Sequence, residues 1–241
     1  MTINWVNTAV AVASRLQFDQ ACGRSRLLSE DYSRLVLTEA VQPFIGGDFE
    51  AECNHPDLPG DCRIDLLVRS PRAATIEAAI EHKWVRATTE AARTRSWITE
   101  IVGDLVRVEA LQDQMVQGAE RLLVVAGEVD LMRTAVWERS ANVPGGGQRR
   151  VRIVEGLLQS QPTVGDCQPA KVSIDLRTAG TPFAHLLREG TGDLYAALPA
   201  SYEIQLVGHH RTRAGGVECV IWRVTRPVGR RVTFNGASQW P

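Results

Sequence analysis

Arg63-Ile-Asp-Leu-Leu-Val-Arg69 and Ala78-Ala-Ile-Glu-His-Lys-Trp-Val85 are two apolar runs, each carrying charge inside it. Their length and branched aliphatic content predict strands. Successive side chains of a strand point to opposite faces, so Glu81 and Lys83 share one face while Ile80, His82 and Trp84 share the other. If the two runs pair, Asp65 joins Glu81 and Lys83. The flanking Ile80, Trp84, Leu66 and Val68 suggest that these strands are central rather than edge strands.

Two carboxylates and an ammonium then converge where a dry core is expected. Such a group is costly to bury unless a cation and a substrate use it, and the chemistry it suits is divalent-metal phosphodiester hydrolysis. The competing reading is a cross-strand pair of charges at the surface. Only two of the 27 basic residues are lysines, Lys83 and Lys171, and chance supplies a Glu-x-Lys roughly 0.13 times in such a chain. The triplet gains weight from its strand context.

With 241 residues the chain fits one large domain or a domain with an elaboration. Apolar residues make up 44% and charged residues 23%, and the net charge is −1, so no global basic field advertises nucleic acid. Any such binding must use local arginine clusters. The five cysteines (22, 53, 62, 167, 219) are scattered and form no Cys-x-x-Cys; with no signal peptide in view, a reducing cytoplasm is expected. The apolar stretch Val6–Ala13 is too short to span a membrane and lacks preceding basic residues, so no membrane association is expected. Cys53, His55 and Cys62 lack a fourth ligand at zinc-finger spacing and read as ordinary loop and strand residues.

Along the chain, a helix is predicted from about Asn4 to Ala21, stopped near Gly23. Ser29 is a predicted N-cap of a second helix, with Glu30 and Asp31 in its first turn and apolar residues at 32, 35, 36 and 40; Pro43 and Gly46-Gly47 close it. A strand follows at Phe49–Cys53, then a loop to residue 61, then the two charged strands around Ser70-Pro71-Arg72. A long helix is predicted from about Ser96 to Gln117, with a buried stripe of Ile98, Ile101, Val102, Leu105, Val108 and Met115. Asp104 and Arg107, three apart on it, read as a surface pair. Arg121–Ala126 is a buried strand and Leu131–Arg139 a short helix. This order implies an α/β protein, a mixed sheet covered by helices.

Beyond residue 140 the character changes. Pro144-Gly-Gly-Gly147 lacks the Gly-Lys-Ser/Thr of a Walker loop, which argues against a nucleoside triphosphatase. Strands are predicted at Lys171–Arg177, Tyr202–Gly208 and Val217–Val224, the last two flanking the hairpin-like Arg-Thr-Arg-Ala-Gly-Gly. Residues 1–139 are expected to form a core with an N-terminal helix, and 140–241 a β-rich elaboration packed on the same sheet.

Over about residues 29–130 this pattern resembles the PD-(D/E)XK nuclease superfamily, the restriction-endonuclease-like fold. The resemblance rests on a helix with an acidic residue, a strand, Arg-Ile-Asp65-Leu-Leu-Val, then Ile-Glu81-His-Lys83, a helix and a strand. Ile64 stands where the name's pattern has proline, a position that varies in the superfamily. The resemblance implies a restriction-endonuclease-like mixed β-sheet flanked by helices and a DNA endonuclease of restriction, phage defence or repair. It implies Mg²⁺, with Mn²⁺ as a substitute, held by Asp65 and Glu81, with a backbone carbonyl or His82 completing the shell. Lys83 is then expected to orient or help deprotonate the attacking water, a role closed to arginine. A helical acid often joins such sites. Glu30 and Glu39 compete for it, and Glu30 is preferred because a Ser-Glu helix opening recurs there, although a carboxylate at a helix start also serves the dipole. Glu52 is a further candidate, or an edge charge.

Arg149, Arg150, Arg152, Arg211 and Arg213 are candidate phosphate contacts, with solvated loop charges as the alternative. His209 and His210, adjacent on a strand, point to opposite faces and make a poor second metal site. A homodimer is expected from the resemblance alone. Two further functions stay open: a non-catalytic nucleic-acid- or protein-binding module of the same fold, and a nuclease silent until a protein or small-molecule activator releases it.

Overall fold

The computed structural model describes residues 3–58, 62–71, 75–86, 93–112, 114–132, 171–175, 198–199, 201–213, 215–226 and 231–232. Helix α1 (Trp5–Ala21) starts at Asn4, whose side chain accepts the Asn7 N–H at 3.1 Å, and it buries Trp5, Ala9, Val12, Ala13 and Leu16 along one stripe. Helix α2 (Glu30–Val41) starts at Ser29, whose hydroxyl accepts the Tyr32 N–H at 3.1 Å, with Glu30 and Asp31 in its first turn. Its buried face is Ser33, Arg34, Val36, Leu37 and Val41. Leu35, expected in that stripe, is 52% exposed. The hydrophobic face is turned by one residue, towards positions that include a polar and a charged side chain.

Three antiparallel strands follow: β1 (Asp48–Asn54), β2 (Arg63–Arg69) and β3 (Ile76–Val85). Helix α3 (Arg93–Ala110) then crosses over to β4 (Met115–Glu128), which pairs with β3 in parallel. Parallel neighbours require such a crossover, because a hairpin cannot join them. The short α4 (Val129–Met132) ends this half, and 133–139 of the expected Leu131–Arg139 helix lie outside the described residues. Strands β5 (Lys171–Asp175), β6 (Leu198–Pro199), β7 (Ser201–Arg211), β8 (Val217–Thr225) and β9 (Arg231–Val232) complete the described elements. Among the described residues the main sheet has seven strands in the order β1-β2-β3-β4-β8-β7-β5, so β8, β7 and β5 continue the sheet that β1–β4 begin; β6 and β9 form a separate ribbon. The fold is mixed α/β.

The long helix is shorter than its periodicity predicts. It stops at Ala110, and Met115 opens β4 instead of closing the helical stripe. The backbone is captured at the break: the Gln112 N–H binds Asp57 Oδ2 at 2.7 Å, Gln114 adopts a φ of 59°, and its carbonyl accepts the Ile76 N–H at 2.8 Å. Pairing with β3 from Ile76↔Met115 onwards overrides helix propensity there.

Helices α1 and α2 cover one face of the sheet. Leu66, Ile80, Trp84, Leu122, Val124, Ala126 and Ile221 meet Trp5, Leu16 and Leu37 in a continuous core. Each such large side chain, fully buried, contributes about 1.5–3 kcal/mol. At Gly208 a Cβ would fall 2.3 Å from the Trp5 carbonyl oxygen, so glycine is what lets α1 lie against β7. Helix α3 covers the opposite face, over the alternate residues of β3. That second face carries the charge.

Candidate active site

The register Leu66↔Ile80 and Leu67↔Ala79 sets Asp65 on the same face as Glu81 and Lys83. Asp65 continues the ladder with its side chain: Oδ2 accepts the main-chain N–H of His82 at 2.8 Å. On its other side the β1 ladder skips from Ala51↔Leu66 to Cys53↔Ile64, and the intervening Glu52 has a φ of 54°. Arg34 of α2 fills this opening. Its guanidinium donates to the Asp65 carbonyl at 3.5 Å, stands 3.7 Å from Asp65 Oδ1, bonds Asp31 at 2.9 Å and also binds Glu52. Asp65 is thus fixed from two sides. Glu52, a partly exposed edge carboxylate, acts here as a partner of Arg34.

Lys83 Nζ lies among three carboxylates, 3.2 Å from Glu30 Oε1, 3.6 Å from Glu100 Oε2 and 3.8 Å from Asp104 Oδ2. Glu81 is fully buried and receives Arg107 on both oxygens, at 3.2 and 3.4 Å. The same guanidinium bonds Asp104. Asp104 is also fully buried, which corrects its expected place in a surface pair. Position 104 lies in line with the buried Ile101, Leu105 and Val108, so α3 turns it onto β3. An acid on an apolar stripe was the available signal. Arg34, Glu100 and Arg107 carried no comparable mark.

Burial raises the Glu81 carboxyl well above its ordinary range, and Asp65 and Asp104 add to this against Arg107. Asp104 is pushed up to about 7, chiefly by burial, with Lys83 and Arg107 opposing. Glu30 is also raised by burial, against the pull of Lys83. Burial works against the Lys83 ammonium, yet Asp104, Glu30 and Glu100 outweigh it and hold its pKa above the ordinary lysine value. In this arrangement Lys83 keeps its proton at neutral pH and serves as a positive charge; the expected base role requires its carboxylate neighbours to be neutralised first.

The imidazole of His82 is not part of this cluster. It is buried on the α2 side, 2.9 Å from Ser33 Oγ, and burial, with Arg34 and Lys83 adding, lowers its pKa to about 3. Strand alternation forbids a side-chain ligand at 82 beside ligands at 81 and 65, so only its backbone carbonyl stays available for the expected role. Glu39 is exposed, while Glu30 reaches Lys83. His55 has both ring nitrogens engaged with backbone, Nε2 at 2.9 Å from the Arg107 carbonyl and Nδ1 accepting the Asp57 N–H, as suits a loop residue. Cys22, Cys53, Cys62 and Cys219 are free thiols.

Arg211 and Arg213 lie at the β7–β8 turn. The pairings Val85↔Gly127 and Gly127↔Glu218 put that turn at the Lys83 end of the sheet, three strand spacings, or about 14 Å, from β3. His209 is buried with its ring 2.8 Å from Glu218 Oε1. Arg149, Arg150 and Arg152 lie outside the described residues. Among the described residues no helix is long and apolar enough to cross a membrane.

The cluster offers hard oxygen donors, and Asp104 Oδ2, though buried, accepts no hydrogen bond. Such a donor set fits a small divalent cation. Among the described residues no three His, Cys, Asp or Glu side chains stand together as a ready ligand group. The chain's own cations instead hold the carboxylates: Arg34 with Asp65, Arg107 with Glu81 and Asp104, Lys83 with Glu30. No family model, curated protein or solved structure matches this chain.

Proposed function

We propose that this protein is a Mg²⁺-dependent DNA endonuclease of the PD-(D/E)XK kind, with a restriction-endonuclease-like sheet. The observation that carries the reading is the common face of Asp65, Glu81 and Lys83 on two paired strands, walled by buried carboxylates. Burying so many carboxylates is costly, and a divalent cation with an anionic substrate would give the set a use. The order of elements from α2 through β4 agrees with the resemblance read from the sequence.

In this reading Asp65 and Glu81 would hold Mg²⁺, or Mn²⁺ in its place, with the His82 carbonyl. When bound there, the ion would lower the pKa of a water and stabilise charge at phosphorus. Lys83 would orient the attacking water and offset charge beside the scissile phosphate, with Glu30 and Glu100 positioning its ammonium. Asp65 is kept in line by Arg34 and the His82 N–H. Arg211 and Arg213 lie at the end of the sheet where flanking DNA would run. Its setting is a reducing cytoplasm, consistent with the free thiols, and two-strand cleavage calls for a homodimer.

The test is incubation of the full chain with duplex, single-stranded and RNA substrates in Mg²⁺ or Mn²⁺, beside calorimetric titration with Mn²⁺. Metal-dependent DNA cleavage lost in Asp65→Asn and Lys83→Ala, with melting preserved, is expected. No Mn²⁺ binding and no cleavage would end the nuclease reading and favour a binding module.

A further inference from the structure

Arg107 occupies the position of a cation. Its guanidinium spans two buried carboxylates from different elements, bonding both oxygens of Glu81 on β3 and one oxygen of Asp104 on α3. Neither carboxylate has appreciable exposed surface, whereas the Arg107 side chain is 28% exposed. The arginine therefore has a way out to solvent, and the acids beneath it have none. An ion that enters between Glu81 and Asp104 would take the place Arg107 now holds.

We propose that Arg107 is a displaceable internal counter-ion, which competes with the divalent cation for Glu81 and Asp104 and swings outward when the ion enters. This rests on the metal-site reading above. It adds Asp104 of α3 to the carboxylates that face the ion, and makes cation affinity a property of one arginine. A bidentate guanidinium–carboxylate contact is among the stronger polar interactions, and a ligand that must displace it binds more weakly by the cost of doing so. A permanent structural salt bridge behaves differently, because its loss weakens the fold and leaves no gain in ion binding.

The experiment is calorimetric titration of the full chain with Mn²⁺, for wild type, Arg107→Gln and Arg107→Lys, alongside melting curves over a range of Mn²⁺ concentrations. Arg107→Gln is expected to bind Mn²⁺ about ten-fold more tightly than wild type, with a larger metal-induced rise in Tm. Arg107→Lys, which keeps the charge but loses the fork, is expected to fall between, and it decides the question if the glutamine variant does not fold. Wild-type affinity or weaker in the folded variants overturns the counter-ion role while leaving the metal site intact. Absence of Mn²⁺ binding in wild type and variants alike overturns the metal-site reading itself, and the counter-ion with it.

Discussion

Asp65 Oδ2 accepts the backbone N–H of His82 at 2.8 Å, tying a carboxylate of β2 to the main chain between Glu81 and Lys83. An amide oxygen can take the same bond. Asp65→Asn is therefore expected to melt close to wild type while metal-dependent cleavage falls on the order of a thousand-fold, because the negative charge is gone. Asp65→Ala loses the bond as well and is expected to cost about 1 kcal/mol in chemical denaturation. Equal cleavage by wild type and the asparagine variant would remove Asp65 from the site.

His82 tests the two-sidedness of β3. Its ring packs with Ser33 beneath α2, so His82→Ala leaves a cavity and a buried hydroxyl without its partner, at a cost of about 2–3 kcal/mol. Mn²⁺ affinity should stay at the wild-type value, since the backbone carbonyl remains. A variant that kept its stability but lost the metal would show the imidazole to be a ligand after all. With a pKa of about 3 in the fold against an ordinary 6.5, neutral His82 contributes stability above pH 6.5 that is lost as the pH falls towards 3. The alanine variant should accordingly show a shallower loss of Tm through that window.

Asp104 runs the other way. Its carboxyl is pushed up to about 7 from an ordinary 3.8, so its neutral form contributes fully below 3.8 and that contribution is lost as the pH rises through about 7. Asp104→Asn is neutral throughout. In metal-free buffer the unfolding free energy of Asp104→Asn minus that of wild type should rise between about pH 4 and 7 and level off above, by an amount on the order of a few kcal/mol. A difference that stays flat with pH would mean that Asp104 ionises as freely in the fold as in the unfolded chain.

The two glutamates of α2 separate cleanly. Glu30 lies 3.2 Å from Lys83, so Glu30→Gln is expected to lower cleavage about ten-fold or more by loosening the ammonium. Glu39 is exposed, and Glu39→Gln should change stability by no more than about 0.5 kcal/mol and leave cleavage at the wild-type rate. A reversed ranking would return the helical acid to position 39.

Much of this arrangement is legible in the chain because strand alternation is a strict rule. The bounds of β2 and the opposed faces of Glu81 and His82 follow from residues 63–85, and Ser29 marks the start of α2 through its hydroxyl. The first turn of pairing in β4 was hidden, since Val116-Gln-Gly-Ala-Glu120 is polar and glycine-containing and reads as a helix end. Asp104 reads as a surface residue for a related reason. An acid three residues from an arginine looks solvated on an isolated helix, and only the docking of α3 on β3 shows that both serve Glu81. Arg34 was invisible because its task, filling a gap in the β1 ladder at Glu52, exists only once the sheet has formed.

Since β3 and β4 run in the same direction, the chain must leave the sheet after Val85 and return over its surface before β4 can pair. Every charged group around Glu81 except Glu30 and Arg34 is contributed by that one excursion or by the two strands feeding it. Docking of α3 on β3 therefore both completes the crossover and brings Glu100, Asp104 and Arg107 to the charge cluster. A chain that has paired β2 with β3 but not yet docked α3 leaves Glu81 without the guanidinium that covers it, so the helix that completes the crossover is also the one that neutralises the strand beneath.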